Sequence, residues 1–201
     1  MRILEFFFLK IYFFMRLSML YIALCACGLF VFGFSPANAT MMYLYKRNRD
    51  KVEKYHWKDA FSYFKEHFVL SNSMAFLIMG IAAVFFASLW AYLQLPPTIW
   101  VLMGLSIQAV ALLLLFCIYG VYLQLQCYYT VRFLLSIRLA LIGIFLDIWS
   151  LVKWLIGSGI CFFLFSKVSL LVAVFIPVVW LLFTADVLEP IYRKIEERVQ
   201  T

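Results

Sequence analysis

Long apolar runs dominate the chain and divide it into five candidate membrane spans. The runs cover residues 17–36, 70–93, 99–124, 139–165 and 168–187. Each reaches the roughly 20 residues that an α-helix needs to cross a bilayer. Because apolar residues follow one another without strict alternation, the runs exclude a transmembrane β-barrel. The pattern predicts an all-α integral membrane helical bundle of about five transmembrane helices.

Polar positions at the edges of these runs predict the remaining segments of a single membrane domain, 1–201. Residues 1–16 combine a charged face with a wide apolar face, which is typical of an interfacial helix. The first span is expected to continue through a kink at Pro36 to residue 45, and the third span to residue 129. A charged cytoplasmic tail is predicted for 188–201.

The segment 46–67 is strongly basic, and its second half shows a helical aromatic pattern. The aromatic residues at helical spacing are Trp57, Phe61, Phe64 and Phe68. With Lys58 and Lys65 on other faces, they predict a cytoplasmic amphipathic helix lying under the membrane. Anionic lipid headgroups are the simplest partner for it, and a second protein is the alternative.

Composition agrees with lipid as the main solvent of this protein. Hydrophobic residues make up 67% of the 201 residues, aromatic residues 20%, and the mean hydropathy is +0.99. A soluble domain of this length has too little interior to bury so much apolar surface. The net charge of +7 does not indicate nucleic-acid binding, because the basic residues are dispersed along membrane edges.

The distribution of basic residues predicts a topology. Lys and Arg are concentrated in 46–65, after the third span and in the tail, and these segments are expected to be cytoplasmic by the positive-inside rule. With five spans, the C-terminus is then cytoplasmic and the N-terminus outside, in a cell (plasma) membrane. Arg2, Lys10 and Arg16 fall on the external side in this arrangement.

Two groups of residues stand out as candidate packing or partner contacts. Gly33, Pro36 and Ala37 belong to a small-residue stretch at the end of the first run, where a packing kink or a hinge is expected. Asp147 and Lys153 lie in the fourth run, where a charge must face protein, water or a counter-ion. Their partners are expected on another helix, either as a structural ion pair or as part of an ion relay.

The chain shows no motif for catalysis, metal binding or cofactor binding. A phosphate-binding glycine loop, a zinc-protease helix and a nucleophile elbow are all missing from the sequence. Cys25, Cys117 and Cys161 fall inside apolar runs, where thiols act as small hydrophobes. The sequence therefore predicts a protein that is not an enzyme and has no cofactor.

The stretch GLFVFGFSPANATMMYLYKR, residues 28–47, resembles the YesL family of small integral membrane proteins of Gram-positive bacteria. A glycine, a Pro-Ala pair, small residues and a basic pair follow one another there as in the family. The block FSYFKEHF at 61–68, followed by Asn72, resembles the family's lead into the second span. Ser35 departs from the pattern, since many members have glycine at that place.

The resemblance implies an association with sugar uptake, because genes of this family commonly accompany carbohydrate ABC importers. It favours a non-catalytic accessory or regulatory membrane subunit, with ABC importer permease subunits and membrane lipid as partners. One alternative is a small stand-alone transporter or channel with Asp147 in its path. Another is a regulator of cell-envelope synthesis. The sequence specifies no oligomeric state.

Overall fold

A computed structural model of the chain describes residues 2–49, 51–128, 133–167 and 175–200, and these residues form helices joined by turns, without a β-strand. The predicted all-α helical bundle is confirmed. The helices are α1 (Arg2–Cys27), α2 (Val31–Asn48), α3 (Trp57–Leu93), α4 (Ile99–Gln126), α5 (Phe133–Leu146), α6 (Ile148–Lys167), α7 (Ile176–Val187) and α8 (Glu189–Gln200), with a 3-10 helix at Val52–Lys54.

Four segments in the described part of the chain are long and apolar enough to cross a membrane. They are Phe8–Cys27, Trp57–Leu93, Ile99–Gln126 and Ile148–Lys167. These helices indicate a multi-pass membrane protein, as the hydropathy pattern predicts. The predicted fifth span, 168–187, lies partly outside the described residues, because only its second half is seen as α7.

The first apolar run forms a helical hairpin instead of the predicted single kinked span 17–45. Its turn lies at 28–30, and α1 continues without a break through the predicted interfacial segment 1–16. Close contact of the two helices explains the turn, since a Cβ on Gly33 would lie 2.4 Å from the Cys25 carbonyl oxygen. Pro36 lies in the interior of α2, and the break precedes it.

The α1–α2 hairpin reaches only part of the way along the α3–α4 pair. Near the hairpin turn, the Phe32 ring lies 5.4 Å from the Phe76 ring. From Phe76, α3 continues to Leu93, a further distance of about 26 Å. Residues 17–45 contain no charged side chain, so the turn can remain in the hydrocarbon.

Arg16 of α1 and the start of α8 lie at the same end of the bundle, which we call the basic end. Arg16 donates a hydrogen bond of 3.2 Å to the Tyr55 carbonyl oxygen in the basic segment, and Lys46 pairs with Glu189 at the start of α8. The sequence instead placed the N-terminal charges opposite the C-terminus. The difference arises because the hairpin returns the chain to the end from which it started.

The predicted fourth span, 139–165, is divided at Asp147 into α5 and α6. The Asp147 carboxylate accepts hydrogen bonds from the Ser150 hydroxyl (2.9 Å) and the Ser150 backbone N–H (3.4 Å), which is N-cap geometry for α6. Helix α6 then runs away from the basic end, and α7 returns beside it. A hydrogen bond of 2.9 Å from the Trp154 indole N–H to Thr184 joins this pair.

The buried core is concentrated in the half of the bundle near the basic end. One apolar cluster is built mainly from α1, α2, the start of α3 and α7, and the other from α4, α5, α6 and α8. By contrast, no residue from 75 to 116 is buried. We call this segment, the connected outer parts of α3 and α4, the free hairpin.

Candidate functional site

The small-residue stretch of α2 is a packing surface at the centre of the buried half. Gly33, Pro36 and Ala37 are all buried, and Gly33 lets α1 and α2 approach each other closely. The Thr40 hydroxyl donates a hydrogen bond of 2.7 Å to the Pro36 carbonyl oxygen within the same helix. These contacts agree with the packing interpretation of the stretch.

A buried polar network crosses this surface and joins several helices. Asn38 accepts a hydrogen bond from the Tyr21 hydroxyl (2.9 Å) and donates one to the Tyr119 hydroxyl (3.1 Å). Its side chain therefore connects α1, α2 and α4. Where water is scarce, each such bond satisfies a group that would otherwise be costly to bury.

A second branch of the network links α2, α3 and α4. The Ser35 hydroxyl donates to the Ser71 carbonyl oxygen at 2.9 Å, and the Gln126 amide donates to the Ser71 hydroxyl at 2.6 Å. Beside Ser71, both polar atoms of the buried Asn72 side chain have no hydrogen-bond partner among the described residues. The amide oxygen of Gln126 also has no hydrogen-bond partner among the described residues.

The aromatic residues of 57–68 form the first turns of α3, and this segment continues directly into the long helix. Phe64 is buried, Phe68 is half-buried, and Trp57 and Phe61 are exposed. The Trp57 and Phe61 rings stack with centroids 6.0 Å apart. One side of the segment thus packs on the bundle, and Trp57 and Phe61 are available to the membrane interface.

Asp147 and Lys153 do not form a site together. The Lys194 ammonium of α8 lies 3.2 Å from an Asp147 carboxylate oxygen, so the partner of Asp147 does come from another helix. Burial alone would raise the Asp147 pKa, but hydrogen bonds from Ser150 and Lys194 hold that pKa below its usual value. Lys153 is exposed, and its ammonium lies 5.5 Å from the Trp149 ring centre.

An ion-pair cluster at the basic end, which the sequence did not predict, joins α2 to the α7–α8 junction. Lys46 pairs with Glu189, and both side chains are largely buried, at 7% and 18% exposure. Arg49 contacts Asp186 at 3.3 Å and Glu189 at 3.4 Å. Despite the opposing effect of burial, the Lys46 hydrogen bond and charge lower the Glu189 pKa.

In residues 2–49, 51–128, 133–167 and 175–200, no three His, Cys, Asp or Glu side chains are grouped so that they could hold a metal ion. The buried polar network and the ion-pair cluster both connect helices. They are suited to fixing helix positions.

Sequence reasoning missed Asn38, Asn72 and Gln126 because single polar residues inside apolar runs carry no motif. A usable signal does exist, since an amide inside a membrane run is costly and needs a partner on another helix. Lys46 and Glu189 were seen as parts of a basic segment and a charged tail. Their pairing depends on a contact across most of the chain length.

Comparison with known proteins gives a family without an assigned activity. Residues 14–89 match the family model described as "Protein of unknown function, DUF624". No curated protein and no solved structure matches the chain. The matched region covers the second half of α1, all of α2 and most of α3, including Asn38, Asn72 and the motifs on which the resemblance was based. The match spans 76 of the 201 residues, so over residues 14–89 the chain is similar to the DUF624 family.

Proposed function

We propose that this protein is a non-catalytic accessory subunit that binds another membrane protein through the free hairpin. The observation that carries the proposal is the absence of any buried residue from 75 to 116. Helices α3 and α4 pack on each other there, as in the hydrogen bond between Gln108 and Ser88. Contacts with other helices are found at the inner ends of the segment, where Phe76 meets Phe32 and Phe116 meets Trp154. A pair of helices of this length offers two wide faces for intermolecular contact.

One face of the free hairpin has the composition that membrane helices use for close packing. Gly80, Ala83, Ala87 and Ala91 are exposed and fall within about 80° on a helical wheel of α3. A Cβ placed on Gly80 would have no neighbour within 4 Å. Small residues let helix backbones approach closely, which is the main source of attraction between helices in lipid. We call these four residues the small-residue face.

We propose a permease subunit of a carbohydrate ABC importer as the partner. The support for this identity is the resemblance of residues 28–47 and 61–68 to the YesL family, because genes of that family commonly accompany such importers. A transmembrane permease presents the lipid-facing helices that the small-residue face requires. The accessory subunit would then stabilise or regulate the importer, and the transport chemistry would belong to the permease.

Affinity purification from native membranes in mild detergent, read by mass spectrometry, tests this proposal. The expected result is recovery of ABC permease subunits with the tagged wild-type protein and at least a tenfold smaller yield with Ala83→Leu/Ala87→Leu. The matched control is Ser106→Leu, a similar enlargement at an exposed position of α4. Recovery of cell-wall enzymes instead of permeases would favour a regulator of envelope synthesis, and equal recovery with all variants would contradict the assigned face.

We also propose that the protein lies in the cell membrane with both termini in the cytoplasm. The support is the common location of Arg16, Lys46 and the C-terminal helix at the basic end. With this topology the N-terminal charges obey the positive-inside rule together with the basic segment. The earlier expectation of an external N-terminus required the first run to be a single span.

A small stand-alone transporter is the second candidate, and one observation favours it. Asn72 is buried beside the polar network with neither of its polar atoms paired among the described residues. Asp147 is no longer part of the proposed solute path, because its carboxylate lies at the basic end in contact with Lys194. Solute flux in proteoliposomes that Asn72→Leu abolishes would establish transport, and absence of flux would remove this candidate.

A further inference from the structure

Helix α5 does not cross the membrane. Its 14 residues extend over about 21 Å, whereas a span needs roughly 20 residues. Tyr128, which precedes α5, stacks on Tyr192 of α8 with ring centres 3.6 Å apart, and Asp147, which follows α5, pairs with Lys194 of the same helix. The chain therefore enters and leaves α5 at the basic end.

One face of α5 packs on the bundle, between α4 and α8. A Cβ placed on Gly143 would lie 3.0 Å from Val121 of α4 and 3.1 Å from Ile191 of α8. Ala140 and Ile144 are buried in the same apolar cluster. The opposite face of α5 consequently points away from the protein, as in helices that lie in the plane of the membrane interface.

The outward face of α5 continues onto the first turns of α6. Arg138, Ile142 and Phe145 are exposed and fall within about 60° on a helical wheel of α5. Trp149 and Lys153 are exposed and lie one turn apart on α6. We call the two sets together the corner surface, which consists of Arg138, Ile142, Phe145, Ile148, Trp149 and Lys153.

The apolar part of the corner surface requires lipid. Phe145, Ile148 and Trp149 are 77%, 63% and 68% exposed, and a soluble surface rarely presents such side chains next to one another. They lie beside the charged Asp147–Lys194 pair, at the point where α6 begins its course away from the basic end. This position corresponds to the boundary between headgroups and hydrocarbon, where tryptophan is enriched.

The two cations of the corner surface have no counter-charge from the protein. Among the described residues, no carboxylate lies within 4 Å of the Arg138 guanidinium or the Lys153 ammonium. Asp147, the nearest acidic residue along the chain, is engaged by Lys194 and Ser150. At this depth the available anion is the phosphate of a lipid headgroup, with which arginine and lysine form strong charge-assisted hydrogen bonds.

We infer that the corner surface binds an anionic phospholipid of the leaflet at the basic end. Arg138 and Lys153 contact the headgroup phosphate, and Phe145 and Trp149 contact the upper part of the acyl chains. An anionic lipid is favoured over a zwitterionic one because a choline group would add a further cation beside two unpaired ones. The site is separate from the small-residue face on α3 and does not depend on which side of the membrane the basic end occupies.

Native mass spectrometry of the purified full chain in mild detergent, titrated with dioleoyl phosphatidylglycerol or dioleoyl phosphatidylcholine, tests the inference. We expect an apparent Kd at least tenfold lower for phosphatidylglycerol. Each basic residue at an anionic membrane surface contributes about fivefold to binding, so Arg138→Gln/Lys153→Gln should raise the Kd for phosphatidylglycerol at least tenfold. The Kd for phosphatidylcholine should change less than twofold, whereas Phe145→Ser should weaken both lipids by a similar factor.

The matched control is Lys58→Gln/Lys65→Gln, which removes two exposed lysines from the first turns of α3. It should leave the preference for phosphatidylglycerol intact, and both double variants should melt like the wild type because only exposed side chains change. An equal loss of the preference in the control would assign binding to the general charge of the basic end and overturn the inference.

Three further results would also overturn it. Equal Kd values of the wild type for the two lipids would exclude recognition of an anionic headgroup. An unchanged Kd for phosphatidylglycerol in Arg138→Gln/Lys153→Gln would place the bound lipid elsewhere. Displacement of phosphatidylglycerol by millimolar inorganic phosphate would show that the two cations form a site for a soluble anion.

Discussion

Lys194 on the C-terminal helix lies 3.2 Å from Asp147, the residue at which the fourth apolar run breaks into α5 and α6. The same carboxylate caps α6 through Ser150. One side chain therefore sets the start of a membrane helix and also holds α8 against the bundle. Asp147, which the sequence suggested as a possible element of an ion path, instead connects two helices at the basic end.

Replacement of Asp147 by alanine should lower the stability of the bundle by about 1–2 kcal/mol. The variant loses the N-cap of α6 and the ion pair with half-exposed Lys194. Thermal unfolding in mild detergent measures the change, with Lys153→Ala as the control because Lys153 is an exposed charge of the same segment. A wild-type melting temperature for Asp147→Ala would contradict the capping role.

Breaking the buried pair of Lys46 and Glu189 should be more damaging than losing an exposed one. Lys46→Met leaves a largely buried carboxylate with weaker compensation, for which a loss of about 3–5 kcal/mol is typical. Because Arg49 and Arg193 also contact Glu189, the lower part of that range is expected. The double variant Lys46→Met/Glu189→Met should recover most of the loss.

The comparison for this pair is Arg193→Ala, which removes a 71% exposed side chain from the same carboxylate. That change should cost less than about 1 kcal/mol, as is usual for surface ion pairs. If Arg193→Ala and Lys46→Met destabilise the protein equally, burial does not determine the strength of this cluster.

Acid should destabilise the protein only at low pH. The pKa values of Asp147 and Glu189 lie below their usual values in the folded state. Their contribution to stability is therefore complete above the pKa of about 4 of the unfolded carboxyls and is lost as the pH falls through the lower folded values. Melting temperatures between pH 3 and pH 7 measure this, and Asp147→Asn should flatten the acid limb. A drop centred between pH 5 and pH 7 would contradict the assignment.

Two glycines offer a matched test of helix packing. An added Cβ at Gly120 would lie 2.6 Å from the buried Trp154 ring, whereas at Gly159 it would meet nothing within 4 Å. Gly120→Ala should therefore destabilise the bundle by about 1–3 kcal/mol. Gly159→Ala should be neutral or slightly stabilising, because alanine favours the helix. Thermal unfolding of both variants decides the matter, and a stable Gly120→Ala variant would exclude tight packing of α4 on Trp154.

Tags at the two ends should be accessible from the same side of the membrane. This follows from the hairpin that brings Arg16 beside Tyr55 in the basic segment. Protease digestion of inverted and right-side-out vesicles, with separate N-terminal and C-terminal epitope tags, measures it. If the two tags are removed in opposite vesicle preparations, the N-terminus is external, as the sequence predicted.

The spans α3 and α4 could be predicted well because continuous apolar character is sufficient to define a membrane helix. The break at 28–30 could not be predicted from the sequence. Its turn places Leu29 and Phe30 at φ values of 55° and 59°, a conformation for which these residues have no preference. The close contacts of Gly28 with Gly33 and of Gly33 with Cys25 explain it, and those contacts form only when the helices meet.

The buried polar network escaped prediction for a similar physical reason. Asn38 bonds to Tyr119 and Gln126 bonds to Ser71, in each case between helices that are far apart in the sequence. Each of these residues alone resembles a tolerated polar residue in an apolar run. The position of Asp147 was correctly marked as needing a partner, since burial of a charge demands one. Which cation supplies it depends on where α8 folds.

The incomplete reach of the α1–α2 hairpin makes the protein unequal across the bilayer. Near the basic end, the helix pairs α1–α2, α3–α4 and α6–α7 surround the buried core. Beyond Phe34, only α3, α4, α6 and the described part of α7 remain. Among the described residues, the leaflet opposite the basic end therefore holds fewer helices, and more of its area beside the protein must be filled by lipid.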